Sequence, residues 1–276
     1  MLACLTLLNS PNSHGESFLV YGKAGALRER LETAVRIALP EHAVYASDAS
    51  QERMDLAIIV GAAALEKFCS EDRSTPAIVT HIYERRLDGA SQHCQQAVGA
   101  VFFDAPFQAQ ANLAEAIFPS QKSAALIPPS SINGQPTAKG VDLPFALEND
   151  TVYPALKAML ATEPDWSVFF VTMDPRIYRG SDYRLTIETL ARNRKAAIVP
   201  VMSLVKAGAV AGVYYDDTSL ERALLRAIQT FLSEGESIKI RSTHLSVAIN
   251  HSILRTLFGR TLSVAEIEAI EGRLNE

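Results

Sequence analysis

The chain alternates between short, continuous apolar runs and longer runs in which apolar residues recur every three to four positions. That is the pattern of strands buried on both faces and of helices that bury one face. Phe18 to Tyr21 reads as a first strand. A helix follows from Gly22 to Leu39, with Leu27, Leu31, Ala34, Val35 and Ala38 on one side and Pro40 as its stop. Leu56 to Val60, Ala77 to Tyr83 and Ala100 to Phe103 are the next strands. A helix is expected over Gln108 to Ile117 and a strand over Ser123 to Ile127. Pro128 to Gly140, with three prolines and two glycines, is the strongest loop or linker candidate. A second series then runs through helix Val152 to Leu160, strand Val168 to Thr172, helix Ser181 to Arg194 and strand Ala197 to Met202. Strand Ala209 to Tyr215 and helix Leu220 to Ser233 complete it, and a last strand ending at Asn250 leads into a helix stopped by Gly259. Strands alternating with helices predict βαβ units, hence α/β class with two similar Rossmann-like layers of parallel sheet flanked by helices.

A length of 276 residues suits two such layers at roughly 150 residues per domain. An apolar share of 48% and a charged share of 21% are those of an ordinary globular chain. Net charge is −5 and the basic residues are scattered, which argues against nucleic acid as a partner. Cys4, Cys69 and Cys94 are too few for a disulfide framework. Cys69 and Cys94 are therefore expected as free thiols, structural bridges being rare outside cysteine-dense chains. The chain has no G-x-x-x-x-G-K-[ST] phosphate loop, no G-x-G-x-x-G and no G-x-S-x-G. Its six histidines are dispersed, without the spacing of a metal pair. No catalytic group, cofactor or metal is expected.

Five stretches carry a resemblance. Asp55 to Leu65 (DLAIIVGAAAL) is a strand, a glycine and a helix start of small residues. Phe102 to Pro119 (FFDAPFQAQANLAEAIFP) holds Asp-x-Pro, then Gln, a helix and a proline. Val168 to Gly180 (VFFVTMDPRIYRG) is a strand closing on Asp-Pro with a tyrosine beyond. Val205 to Asp216 (VKAGAVAGVYYD) passes from a strand end through a Lys-Ala-Gly-Ala turn into a second strand, with HLSVAINHSILRTLFG (His244 to Gly259) following. In this order they resemble the substrate-binding proteins of ABC importers with a periplasmic-binding-protein type I fold, in the branch that includes tryptophan- and tyrosine-uptake proteins. The resemblance covers most of residues 55 to 260. It implies two lobes joined by a hinge and a small-molecule solute held between them. It also implies an ABC permease of the inner membrane as partner, and a monomer.

Ligands of open parallel sheets bind beyond the carboxyl ends of the strands, where helix N-termini offer N–H groups. Gly61, Ala62 and Ala63 fit that use, since small side chains let a ligand oxygen approach the backbone. They serve a tight turn and helix packing equally well. Asp174 is placed to accept from a ligand amine or hydroxyl, or to form the turn that Asp before Pro often makes. Tyr178 is a candidate to stack on the ligand. Asp104 and Gln108 flank Pro106 at the expected crossing between lobes, to touch the ligand or to brace the hinge. Tyr83, Ser203, Tyr214 and Tyr215 end strands. Tyr214 and Tyr215 face opposite sides of theirs, so one of them at most is expected in a given pocket. Lys206 reads as a solvated turn lysine. Alanines stand after Gly61 where the family's amino-acid binders carry Ser/Thr, which points away from an amino-acid carboxylate there.

Residues 1–15 read as a leader remnant or tail: Leu2 to Leu8 is apolar, Ser13-His14-Gly15 offers a small-x-small site, and Met-Leu-Ala-Cys resembles part of a lipobox. With the family's export, this gives a periplasmic or lipid-anchored expectation. Residues 16–105 are expected as the N-terminal lobe, completed by part of 240–276, and 106–239 as the C-terminal lobe. Residues 240–276 supply a crossing strand and terminal helices. Two other readings stay open: a ligand sensor for a membrane receptor, and a two-domain cytoplasmic α/β enzyme.

Overall fold

The computed structural model describes residues 16–46, 54–71, 74–94, 98–128, 141–147, 151–163 and 165–276. The leader candidate, Cys4 and residues 129–140 of the linker candidate lie outside them.

The first lobe runs β1 (Ser17–Tyr21), α1 (Ala26–Ala38), β2 (Ala43–Ala46), β3 (Leu56–Val60), α2 (Ala62–Ser70), β4 (Ala77–Ile82), α3 (Glu84–Ala90), β5 (Val98–Phe102). The second runs α4 (Phe107–Ile117), β6 (Ser123–Ile127), β7 (Leu143–Ala146), α5 (Val152–Thr162), β8 (Val168–Phe170), α6 (Asp182–Arg192), β9 (Ala196–Val199), α7 (Met202–Lys206), β10 (Ala211–Tyr214). The chain ends with α8 (Asp217–Glu234), β11 (Lys239–Arg241), β12 (Ser246–Ile249), α9 (His251–Phe258) and α10 (Val264–Leu274). Six strands form one sheet in the order β2-β1-β3-β4-β5-β11, all parallel. Six form the other in the order β7-β6-β8-β9-β10-β12, parallel except for β12 against β10. The expected class of two parallel-sheet α/β lobes is what the chain forms.

The continuous apolar runs became the central strands: β5 is buried along its whole length, and β3 along all but its last residue. Helix α1 starts at Ala26 rather than Gly22. Gly22 and Gly25 lie just ahead of it, Gly25 at φ 151, and glycine is poorly suited to a helix interior. The run Ala197 to Met202 does not stay a strand. The ladder stops at Val199, because Pro200 has no N–H to give it, and α7 begins two residues later. Ser203 and Lys206 therefore sit in a short helix, not at a strand end and a turn. Asp216 caps α8, accepting from the Ser219 N–H at 2.7 Å, and Gly235 closes that helix at φ 72.

Among the described residues the chain crosses between lobes three times. It leaves the first sheet at 103–106, returns at Tyr215–Asp216 into α8, which packs on β4, β5 and β11, and leaves again at 242–245. The return to the first sheet thus precedes residue 240. One apolar cluster spans both lobes, from Phe18, Leu31 and Ile58 through Leu113 and Ile117 of α4 to Phe170, Ile198 and Leu254.

The cysteines correct an expectation. Cys69 and Cys94 are disulfide-bonded, with Cα atoms 4.5 Å apart. Helices α2 and α3 pack side by side, and the turn after α3 lays Cys94 against the last turn of α2.

Candidate functional site

Three cavities open along the facing carboxyl ends of the two sheets. The first, about 760 Å³, lies on the first lobe and is walled by Tyr21, Gly61, Ala62, Ala63, Tyr83 and Phe103, with Lys23, Lys67 and Arg86 also on its walls. Gly61 caps α2 at φ 87, and its N–H is spent on the Thr80 carbonyl at 2.9 Å. A Cβ there would meet nothing within 4 Å. The glycine is required by its backbone angle, not by crowding.

Phe103 is shared by the walls of two of these cavities. Tyr83 stacks on it at 4.8 Å between centroids and His81 at 5.9 Å. His81 is held at φ 56 where the β4 ladder breaks register between Thr80 and Ile82, a bulge that re-aims its ring. Burial lowers its pKa, Asp217 opposing and Arg30 adding to the shift. Burial likewise raises that of Tyr83, helped by Asp104. His81 and Phe103 also wall a cavity of about 290 Å³ with Ser203, Tyr214, Tyr215 and Met202. Both tyrosines contribute, contrary to the alternation argument. Tyr215 lies past the last residue of β10, where strand alternation no longer holds. Its phenol is pushed up to about 12, chiefly by burial.

A third cavity of about 210 Å³ lies between the lobes and carries the densest polar chemistry. Asp104 reaches it from the first crossing, accepting the Glu84 N–H at 3.0 Å and so tying down the start of α3. Burial raises the Asp104 pKa, against the hydrogen bond from Glu84 and the charge of Arg241. Arg241 pairs with Glu84 at 2.6 Å and lies over the Phe102 ring. Across the cavity, Asp174 takes a two-pronged hydrogen bond from the Arg176 guanidinium, at 3.0 Å from Nε and 2.6 Å from Nη2, plus its backbone N–H at 2.9 Å. Burial works to raise the Asp174 pKa, but the Arg176 contacts together hold it below the usual carboxylate value. Its carbonyl accepts from Ile177 and Tyr178, both at 3.0 Å. The residue is both a wall of the cavity and a turn.

The remaining candidates fall elsewhere. Tyr178 is in the second lobe's core, stacked on Tyr183 at 4.9 Å, and walls none of these cavities. Gln108 is exposed on α4 and donates to Asn112 Oδ1 at 2.9 Å. Two residues on, about 200° around the helix, Gln110 faces the interlobe cavity instead. The periodicity held that signal: Gln110 is the one polar residue of a buried face otherwise made of Ala109, Leu113, Ala114 and Ile117. His81 and Phe103 had no comparable mark. No group of three or more metal-binding side chains converges among the described residues.

No protein-family profile matches the chain, and no curated protein does. Solved structures do. A substrate-binding protein with adhesive properties from Clostridium difficile, in its ligand-free open form, superposes with a TM-score of 0.63 at 13% identity, over 91% of this chain and 96% of that one. An ABC domain in complex with L-Trp from Streptococcus pneumonia gives 0.56 at 16%, over 91% and 97%. A conserved domain protein from Vibrio cholerae gives 0.56 at 13%, over 93% and 98%. The fold is periplasmic-binding-protein type I. The second and third cavities draw walls from both lobes, and Asp104, Asp174, Ser203 and Tyr214 stand on those walls.

Proposed function

We propose that this chain is the solute-binding component of an ABC importer, capturing a small organic solute between two lobes. The interlobe cavity carries the reading: it draws walls from α3, the first crossing, α4, β6, the segment after β8 and the end of β11. A ligand seated there touches both lobes only when they close, so its binding energy drives closure. The L-Trp complex on the same fold supports an amino-acid-like solute as the first guess. The alanines after Gly61 favour one whose carboxylate, if it has one, is not held at that turn. Sheet membership supports lobes of 16–105 with 217–241, and of 106–215 with 242–276. An ABC permease would read the closed form. The disulfide supports an extracytoplasmic location, where such bonds persist, and no described helix is long and apolar enough to cross a membrane.

The test is a thermal-shift screen against amino acids, nucleosides, sugars and small organic acids, followed by small-angle scattering with any compound that binds. A solute at 100 times its Kd adds about 2.7 kcal/mol to stability, and the radius of gyration is expected to fall on binding. A bound solute with no change in scattering would overturn the hinge mechanism.

A further inference from the structure

Gln110 is 2% exposed. Its Oε1 atom has no contact with solvent and no hydrogen-bond partner among the described residues, and its side chain walls the interlobe cavity. Leaving a buried amide unpaired destabilises the fold. A leucine or methionine would suit this face of α4 without that cost.

The charges around it narrow what the amide meets. Arg241 is committed to Glu84, and Arg176 to Asp174. Arg85 lies in electrostatic range of the same Asp174. The cavity's cations are thus balanced by carboxylates on the same walls, and Asp104 adds an acidic group that a bound carboxylate would have to approach. A second neutral group is also unspent: the buried Thr172 Oγ1 has no hydrogen-bond partner among the described residues. The rest of the wall is apolar, with Phe107, Leu126, Met173 and Ile177.

From this we infer that Gln110 is a specificity-determining residue that reads a neutral edge of the solute bearing an N–H donor beside a C=O acceptor, and that this pocket rejects a carboxylate in the same place. Such an edge belongs to a primary carboxamide or to the lactam face of a heteroaromatic base. It matches the side-by-side donor and acceptor of the glutamine amide in two hydrogen bonds. A carboxylate offers acceptors only, leaving the amide N–H paired and its oxygen facing a charge. The inference rests on the solute-binding reading and deepens it.

Calorimetric titration and thermal shift on the whole chain test it with matched probes. Nicotinamide against nicotinate and L-glutamine against L-glutamate represent the carboxamide source. Uracil and hypoxanthine represent the lactam source, and D-glucose is a solute without the edge. At least one edge-bearing probe should bind, with any acid counterpart at least tenfold weaker. Gln110→Leu should lose at least tenfold in affinity for that probe while melting higher than the wild type unliganded, and Gln108→Leu should change neither. If Gln110→Leu does not fold, Gln110→Glu carries the test and should lose the same probe. Preference for the acid, or unchanged affinity in the folded Gln110 variant, overturns the inference. So does binding by D-glucose alone, with solute capture left standing. Silence of every probe and of the wider solute screen would bring down the solute-binding reading and the inference with it.

Discussion

Asp104 and Asp174 show how two carboxylates on one cavity are set in opposite directions. At Asp104 burial wins, so the folded state holds its proton more tightly than the unfolded chain does. Stability then falls as pH rises from the ordinary carboxylate pKa to the raised folded value, and the deficit is complete above it. Asp104→Asn keeps an oxygen for the Glu84 N–H and removes the charge. It should raise the melting temperature at neutral pH by about 2 °C, an advantage that disappears in acid. At Asp174 the arginine wins, so its contribution is present above the unfolded pKa and is lost as pH falls through the lowered folded value. Asp174→Asn should cost about 1 kcal/mol at pH 7, a modest figure because Arg176 is half exposed. Its gap from the wild type should close as denaturation is followed into acid. Sequence placed Asp174 at a strand end and Asp104 at the crossing between lobes, but showed neither partner. Arg176 is close in sequence, whereas the Glu84 N–H that ties Asp104 comes from an element twenty residues back.

Elements were legible where burial is complete and illegible where it is partial. Strand β3 announces itself because both faces are covered. The edge strands β2, β7 and β11 are short and half exposed, so AVYA, LPFA and KIR carry too little pattern to register. Helix α7 was hidden inside an apolar run and is given away only by Pro200. Beside it, Gly212 of β10 is needed for close approach: a Cβ would lie 2.8 Å from Val205 Cγ2 and 2.9 Å from the Val199 carbonyl oxygen. Gly212→Ala forces α7 and β9 apart and should destabilise by about 1–3 kcal/mol in urea denaturation. The Cys69–Cys94 bond was invisible because two cysteines without a spacing rule say nothing of the helices that bring them together. It ties the C-terminal end of α2, whose N-terminus walls the first cavity. Across a separation of 25 residues, its reduction should remove about 3 kcal/mol from the chain's stability, read as a lower calorimetric midpoint in reductant.

At the scale of the molecule, the α/β class with two similar layers followed from alternation and length, while the route of the chain between lobes did not. A periodic pattern tells a helix which side to bury, not which sheet to bury it against. Helix α8 is amphipathic on either lobe, and only its contacts with β5 and β11 assign it to the first. The same limit applies to the cleft: strand ends were readable, but which of them face one another depends on how the lobes are joined.

That routing has a consequence for the protein's birth. Strand β5 completes its pairing only when residues 239–241 arrive as β11. A ribosome adds about 5–20 residues per second. The outer edge of β5 therefore waits on the order of ten seconds or longer after its own emergence, while all five parallel strands of the second sheet are synthesised. During that interval an unpaired strand edge is open to wrong partners. A nascent chain halted anywhere between β5 and β11 carries the hazard that the finished protein has covered.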